Sequence, residues 1–170
     1  IKGMCNVMIH RGPDDEGLYL AGPLGIGMRR LKIIDLSTGH QPIHNEDKTI
    51  WVVFNGEIYN YKDVRLSLEK NGHHFYTKSD TEVIVHLYEE HGIHALDYLN
   101  GMFGIAIWDS CKNKLILARD RLGIKQLYYY EDERQFVFGS EIKAILACSG
   151  ISRDINYQAL SDYFSLQYIP

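Results

Sequence analysis

The sequence predicts an α+β fold, and three observations carry that prediction. Strand-like runs and amphipathic helical stripes come in groups instead of alternating one by one along the chain. Most of the strand runs are apolar on both faces, which suits sheets covered on two sides and suggests two stacked sheets between helix layers. Two polar connections, at 109–113 and 131–134, join neighbouring apolar runs as hairpins.

The elements follow in order. Met4, Val7 and Met8 have helical spacing with no residue to cap the start, so the chain is expected to open inside a helix. Residues 17–20, 25–29 and 50–54 read as strands parted by Gly/Pro or polar loops. Tyr61, Val64 and Leu68 make a helical stripe that Gly72 ends. Ser79-Asp80-Thr81-Glu82 reads as a capping box, opening a helix through Val83, Ile84, Leu87 and Tyr88 that stops at Gly92. Residues 103–108 and 115–118 form one hairpin, and 128–130 and 136–139 form another. Ser140-Glu141 caps a helix with Ile142, Ile145 and Leu146, which Gly150 closes. A last helix opens at Asp154-Ile155-Asn156 and sets Leu160, Tyr163, Phe164 and Gln167 on one face. We therefore expect one unit over 1–150 and a connecting helix over 151–170, with both ends looking cut.

Composition narrows the function. The chain has 170 residues, 18 Lys+Arg against 22 Asp+Glu, a formal charge of −4, and is 45% hydrophobic. That is enough for one core, and it gives no general attraction for nucleic acid or anionic lipid. No apolar run reaches membrane-span length. Cys5, Cys111 and Cys148 are odd in number and far apart, so no disulfide framework is expected and a reducing cytoplasm is the default compartment.

Three groups can carry chemistry. Asn55-Gly56-Glu57 follows a strand and reads first as an Asn-Gly hairpin turn. The sharper reading is an amide and a glycine N–H donating to a developing oxyanion, with a carboxylate beside them for an ammonium group. In Met28-Arg29-Arg30-Leu31-Lys32-Ile33-Ile34-Asp35 the basic residues are either turned to solvent, or one arginine grips a carboxylate in bidentate fashion. Asp80 either complements a helix dipole or serves as a second anion. Together the groups would suit a zwitterionic amino acid whose side-chain carbonyl is polarised. The loop at 10–17 reads as backbone held by Arg and Asp, and 118–125 reads as a salt-bridged turn better than a phosphate loop. The eight histidines lack any recognised ligand spacing, so no metal is expected. None of the three cysteines has a neighbouring feature that would make it a nucleophile.

These blocks, in this order, resemble the glutamine amidotransferase domain of the glutamine-hydrolysing asparagine synthetases. The resemblance rests on His-Arg-Gly-Pro-Asp at 10–14, Arg-Leu-Lys-Ile-Ile-Asp at 30–35, Gln41-Pro42 and Asn-Gly-Glu-Ile-Tyr-Asn-Tyr at 55–61. Ser-Asp-Thr-Glu at 79–82, Leu-Asn-Gly-Met-Phe at 99–103, Ala-Arg-Asp-Arg-Leu-Gly-Ile-Lys at 118–125 and Gly-Ser-Glu-Ile-Lys-Ala at 139–144 complete it. It implies the N-terminal-nucleophile fold, two stacked antiparallel sheets between helix layers, and hydrolysis of L-glutamine to glutamate and ammonia. It implies that Arg30 binds the glutamine α-carboxylate, with Leu31, Ile33 and Ile34 lining the pocket. Glu57 and Asp80 would hold the α-amino group, and Asn55 with Gly56 would form the oxyanion hole. The family's nucleophile, a cysteine at the mature N-terminus, would lie before Ile1, so the chain as it stands is expected to be inactive. Gln126 departs from the proline usual in the family. A synthetase domain after Pro170 is the implied partner. ATP and magnesium are expected there, and no cofactor is expected here. A homodimer is left open. The alternatives are a non-catalytic glutamine-binding or domain-interaction module, or the front half of a sibling enzyme with another acceptor.

Overall fold

Residues 1–31 and 39–169 are described in a computed structural model of the chain. Their architecture grows from the two-residue period of the central strands. Strands β3 (Ile43–His44), β4 (Ile50–Ile58), β5 (Gly101–Asp109) and β6 (Lys114–Arg119) form an antiparallel sheet in that order. Val52, Phe54, Ile58, Phe103, Ile105 and Ile107 alternate onto one face, where they are buried against α2 (Tyr61–Lys70) and α3 (Glu82–His91). Val53 and Ala106 turn the other way and pack with Ile26 and Phe138.

Those last two residues come from hairpins. Strands β1 (Asp15–Ala21) and β2 (Leu24–Arg30) turn through Gly22, whose φ of 56° suits glycine. Strands β7 (Tyr128–Glu131) and β8 (Phe136–Gly139) make the second hairpin. Helix α1 (Lys2–Asn6) packs on β2 and on α4 (Ile142–Leu146), which in turn packs on β7 and β8. The layers therefore run α2/α3, four-stranded sheet, hairpins, α1/α4, the helix–sheet–sheet–helix order the sequence predicts. Each fully buried isoleucine in the central layer is worth about 1.5–3 kcal/mol of burial. A cavity left by truncating one costs about 2–5 kcal/mol.

The sequence reading needs three local corrections. The Asn55-Gly56 pair is no turn, because β4 runs straight through it with Asn55 opposite Gly104 and Gly56 opposite Phe103. A Cβ at Gly56 would overlap the Met102 carbonyl oxygen, so the glycine serves close approach of two strands. The capping box is also rearranged. Ser79 Oγ accepts from the Thr81 N–H at 3.1 Å, while Glu82 reaches back to the N–H groups of Tyr76 and Thr77 at 2.8 and 2.7 Å. The turn at 118–125 is built without a salt bridge among the described residues. Asp120 instead accepts from the N–H groups of Phe103, Leu122, Ile124 and Lys125 at 2.9–3.2 Å.

After the main layers comes α5 (Tyr157–Leu166), capped by Asn156, whose side chain accepts from the Ala159 N–H at 3.1 Å. It buries none of its residues, and Tyr163 and Phe164 stand exposed. No described helix is long and apolar enough to cross a membrane.

Candidate active site

Where β2 ends, β4 passes and α3 begins, a cleft of about 500 Å³ opens. Arg30, Leu31, Asn55, Gly56, Glu57 and Asp80 all line it, although they come from three separate stretches of chain. Ile33 and Ile34 lie outside the described residues. Arg30 is the last residue of β2 and is mostly buried, whereas its neighbour Arg29 is committed to the scaffold. Arg29 donates to Glu16 at 2.8 Å and to the Gly12 carbonyl at 2.9 Å. That Arg29 contact also ties down the 10–17 loop from outside it.

The outer edge of β4 sets the geometry of the cleft. Alternate residues of a strand present their N–H groups to the same edge. At Phe54 that edge is covered by a side chain. Gln41 Nε2 donates to the Phe54 carbonyl at 3.0 Å, and the Phe54 N–H donates to Gln41 Oε1 at 2.7 Å. At Ile58 the N–H donates to Asp80 Oδ2 at 3.0 Å. Gly56 lies midway, so its N–H is directed to the same edge, between two rungs that side chains already occupy. The amide of Asn55, one residue earlier, makes no hydrogen bond to another described residue. An amide and a strand N–H are therefore brought together beside the cleft.

Two carboxylates there feel each other. Asp80 is only 4% exposed. Burial pushes its carboxyl above the usual carboxylate range, the Ile58 N–H draws it partly back, and the Glu57 carboxylate adds to the upward push. Glu57 is exposed and makes no ion pair among the described residues. Two neighbouring carboxylates, one of them desolvated, are relieved by an ammonium group placed between them.

Sequence reasoning missed one contributor. Gln41, which holds the β4 edge, is only 5% exposed, and a lone glutamine in a loop gives no sign of such a role. Cys5 also lines the cleft from α1. Burial, with Glu16 adding to it, raises the pKa of its thiol, which is the opposite of what a nucleophile requires. A smaller recess of about 210 Å³, lined by Arg11, Lys125, Gln126 and Ser140, adjoins Asn55.

Comparison with known proteins bears on the family of the chain. The glutamine amidotransferase domain family aligns with residues 1–170. The chain is similar to glutamine-hydrolyzing asparagine synthetase 2 of Bacillus subtilis, at 51% identity over 95% of this chain and 22% of that protein. It is similar to synthetase 1 of the same organism at 43% identity over 100% of this chain and 27% of the relative. The solved glutamine phosphoribosylpyrophosphate amidotransferase of B. subtilis, complexed with ADP and GMP, superposes with a TM-score of 0.60 at 26% identity. That superposition covers 72% of this chain and 29% of the other. The chain thus spans about a quarter of the length of the curated synthetases it matches. The match along its whole length and the layered fold agree: the chain belongs to the glutamine amidotransferase domain family.

Proposed function

We propose that this chain is the glutaminase module of a glutamine-dependent asparagine synthetase. The observation that carries the reading is the convergence of Arg30, Glu57, Asp80 and the Asn55-Gly56 pair on a single cleft. Arg30 grips the α-carboxylate of glutamine, and Glu57 and Asp80 take its α-ammonium group. Pinned at both ends, the substrate lays its carboxamide against the Asn55 amide and the Gly56 N–H. These donate to the carbonyl oxygen as it becomes an oxyanion.

The nucleophile is a cysteine preceding Ile1 in the natural chain, with its own α-amine as base. Its sulfur bonds to the carboxamide carbon, and the C–N bond breaks as the proton held by the amine passes to the leaving nitrogen. Water then cleaves the thioester to give glutamate. Cys5, with a backbone nitrogen in a peptide bond, has no α-amine to use.

The released ammonia serves an aspartate that ATP and magnesium activate in a synthetase domain following α5. The glutaminase unit itself needs no cofactor. Tyr163 and Phe164 on α5 give that domain an apolar face to pack on, and the mature enzyme works in the cytoplasm.

The test uses the natural gene product. Arg30→Ala should cut glutamine-dependent asparagine formation by at least about 100-fold, the loss of a charge-assisted bidentate contact. It should leave ammonia-dependent formation within twofold. Equal loss with both nitrogen sources would sink the assignment.

A further inference from the structure

A second constellation lies on another part of α3. The helix sets Glu82, His86, Glu89 and Glu90 at the three- and four-residue spacings of one face. The loop after β3 brings Glu46 to it, and the loop after α2 brings His73. His86 Nδ1 is 2.7 Å from Glu89 Oε2 and 3.9 Å from Glu46 Oε2, and His73 Nδ1 is 3.5 Å from the same Glu89 oxygen. Glu46, His73 and His86 offer donor atoms that all lie within 4.8 Å of one another.

The remaining atom of each group is directed at a partner. Glu89 Oε1 accepts from Asn45 Nδ2 at 2.9 Å, and Glu46 Oε1 accepts from the His74 N–H at 3.3 Å. His73 Nε2 meets Glu90 at 3.1 Å, and Asn71 holds that carboxylate in turn at 2.9 Å. His86 Nε2 faces the fully buried Glu82 carboxylate at 3.7 Å but makes no hydrogen bond there, although His86 is only 1% exposed. Glu90 behind His73, fixing that ring with its second nitrogen turned inward, is the supporting arrangement of a histidine metal ligand.

No lysine or arginine is ion-paired with the four carboxylates of the group among the described residues; His86 Nδ1 and Glu89 make a hydrogen bond at 2.7 Å, while the 3.9 Å between His86 Nδ1 and Glu46 Oε2 is too long for one. That separation, and the approach of the Glu46, His73 and His86 donor atoms within 4.8 Å of one another, suit a shared ion. Two imidazoles with one carboxylate and an open fourth position favour zinc over magnesium or calcium, which want more oxygen ligands. We propose that Glu46, His73 and His86 bind one zinc ion, which clamps two loops to α3 and takes no part in glutamine chemistry.

Purified protein, stripped with EDTA and dialysed, would be titrated with zinc chloride by calorimetry and with cobalt chloride by visible absorption. One ion per chain, a four-coordinate cobalt spectrum and an EDTA-reversible rise in Tm are expected. Because His86 is too buried to replace safely, the variants are His73→Gln and Glu46→Gln. Each should weaken zinc binding by about tenfold or more, with the metal-free Tm near that of the parent. Failure to bind zinc stoichiometrically, or affinity unchanged in both variants, overturns the site.

Discussion

Asp80 and Asp120 are both nearly inaccessible, at 4% and 5% exposure, yet their surroundings are opposite. Four backbone N–H groups converge on Asp120 and hold its carboxyl down at about 2. Burial pushes the Asp80 carboxyl up, and the N–H groups of Ile58 and Asp80 with the Ser79 hydroxyl offset only part of that push, to which the Glu57 carboxylate adds. A buried charge that the chain satisfies by itself is part of the scaffold. One that the chain leaves short of compensation is held for something else, and here the shortfall matches an ammonium group.

Exchanging each aspartate for asparagine separates the two roles. The largest effect should be on catalysis: in the natural gene product, Asp80→Asn should lower kcat/KM for glutamine by about 100-fold or more, the loss of a buried ion pair with substrate. Asp120→Asn, assayed below its melting temperature, should stay within about threefold of the parent. A comparable loss from both would erase the distinction.

Stability should move in the opposite sense. Asp120→Asn removes acceptors from several buried N–H groups, so calorimetry should show Tm lower by roughly 5–10 °C. Asp80→Asn relieves an uncompensated charge, so the ligand-free protein should melt about 2–4 °C higher. A fall in Tm for Asp80→Asn would mean that its charge is satisfied within the fold.

The pH profiles sharpen the contrast further. The Asp120 contribution is present above the ordinary aspartate value of 3.8 and is lost as pH falls toward about 2. Asp80, with a raised folded value, favours the fold when protonated and loses that contribution as pH rises through it. Glutamine affinity should run the other way, weakening as pH falls through the Asp80 titration. Affinity that stays flat as pH falls from neutral into the acid range, in calorimetric titrations, would remove Asp80 from the ammonium site. The smallest effect should come from Leu122, 86% exposed in the Asp120 turn: Leu122→Ser should change stability by less than about 0.5 kcal/mol in urea titrations.

Much of the layered fold is legible in the sequence, because periods of 2 and 3.6 report which face each element buries. Val52, Phe54 and Ile58 declare the inner face of β4 in this way. The end of β4 is less legible. Asn-Gly is a strong turn signal over short range, and only the cross-strand contact of Gly56 with Met102 reveals the strand continuing. Glu57 and Asp80 stand out as charges beside an apolar strand and at a helix start. Gln41, Glu46 and His73 do not, since each acts through residues brought near it only by folding. The absence of a familiar histidine spacing led the sequence reading to expect no metal. Spacing is informative when one element supplies most of the ligands, and the three residues proposed here for zinc come from three separate segments.

The edge of β4 has a consequence beyond catalysis. An uncovered strand edge invites pairing with an extended segment from another chain, the usual start of ordered aggregates. Here β3 covers Val52 and Trp51, the Gln41 amide fills the position at Phe54, and Asp80 fills the one at Ile58. The interval at Gly56 is one rung wide, room for a single acceptor atom and too short to template an incoming strand. The arrangement that leaves one N–H directed at the cleft thus also keeps the sheet from recruiting its neighbours in a crowded solution.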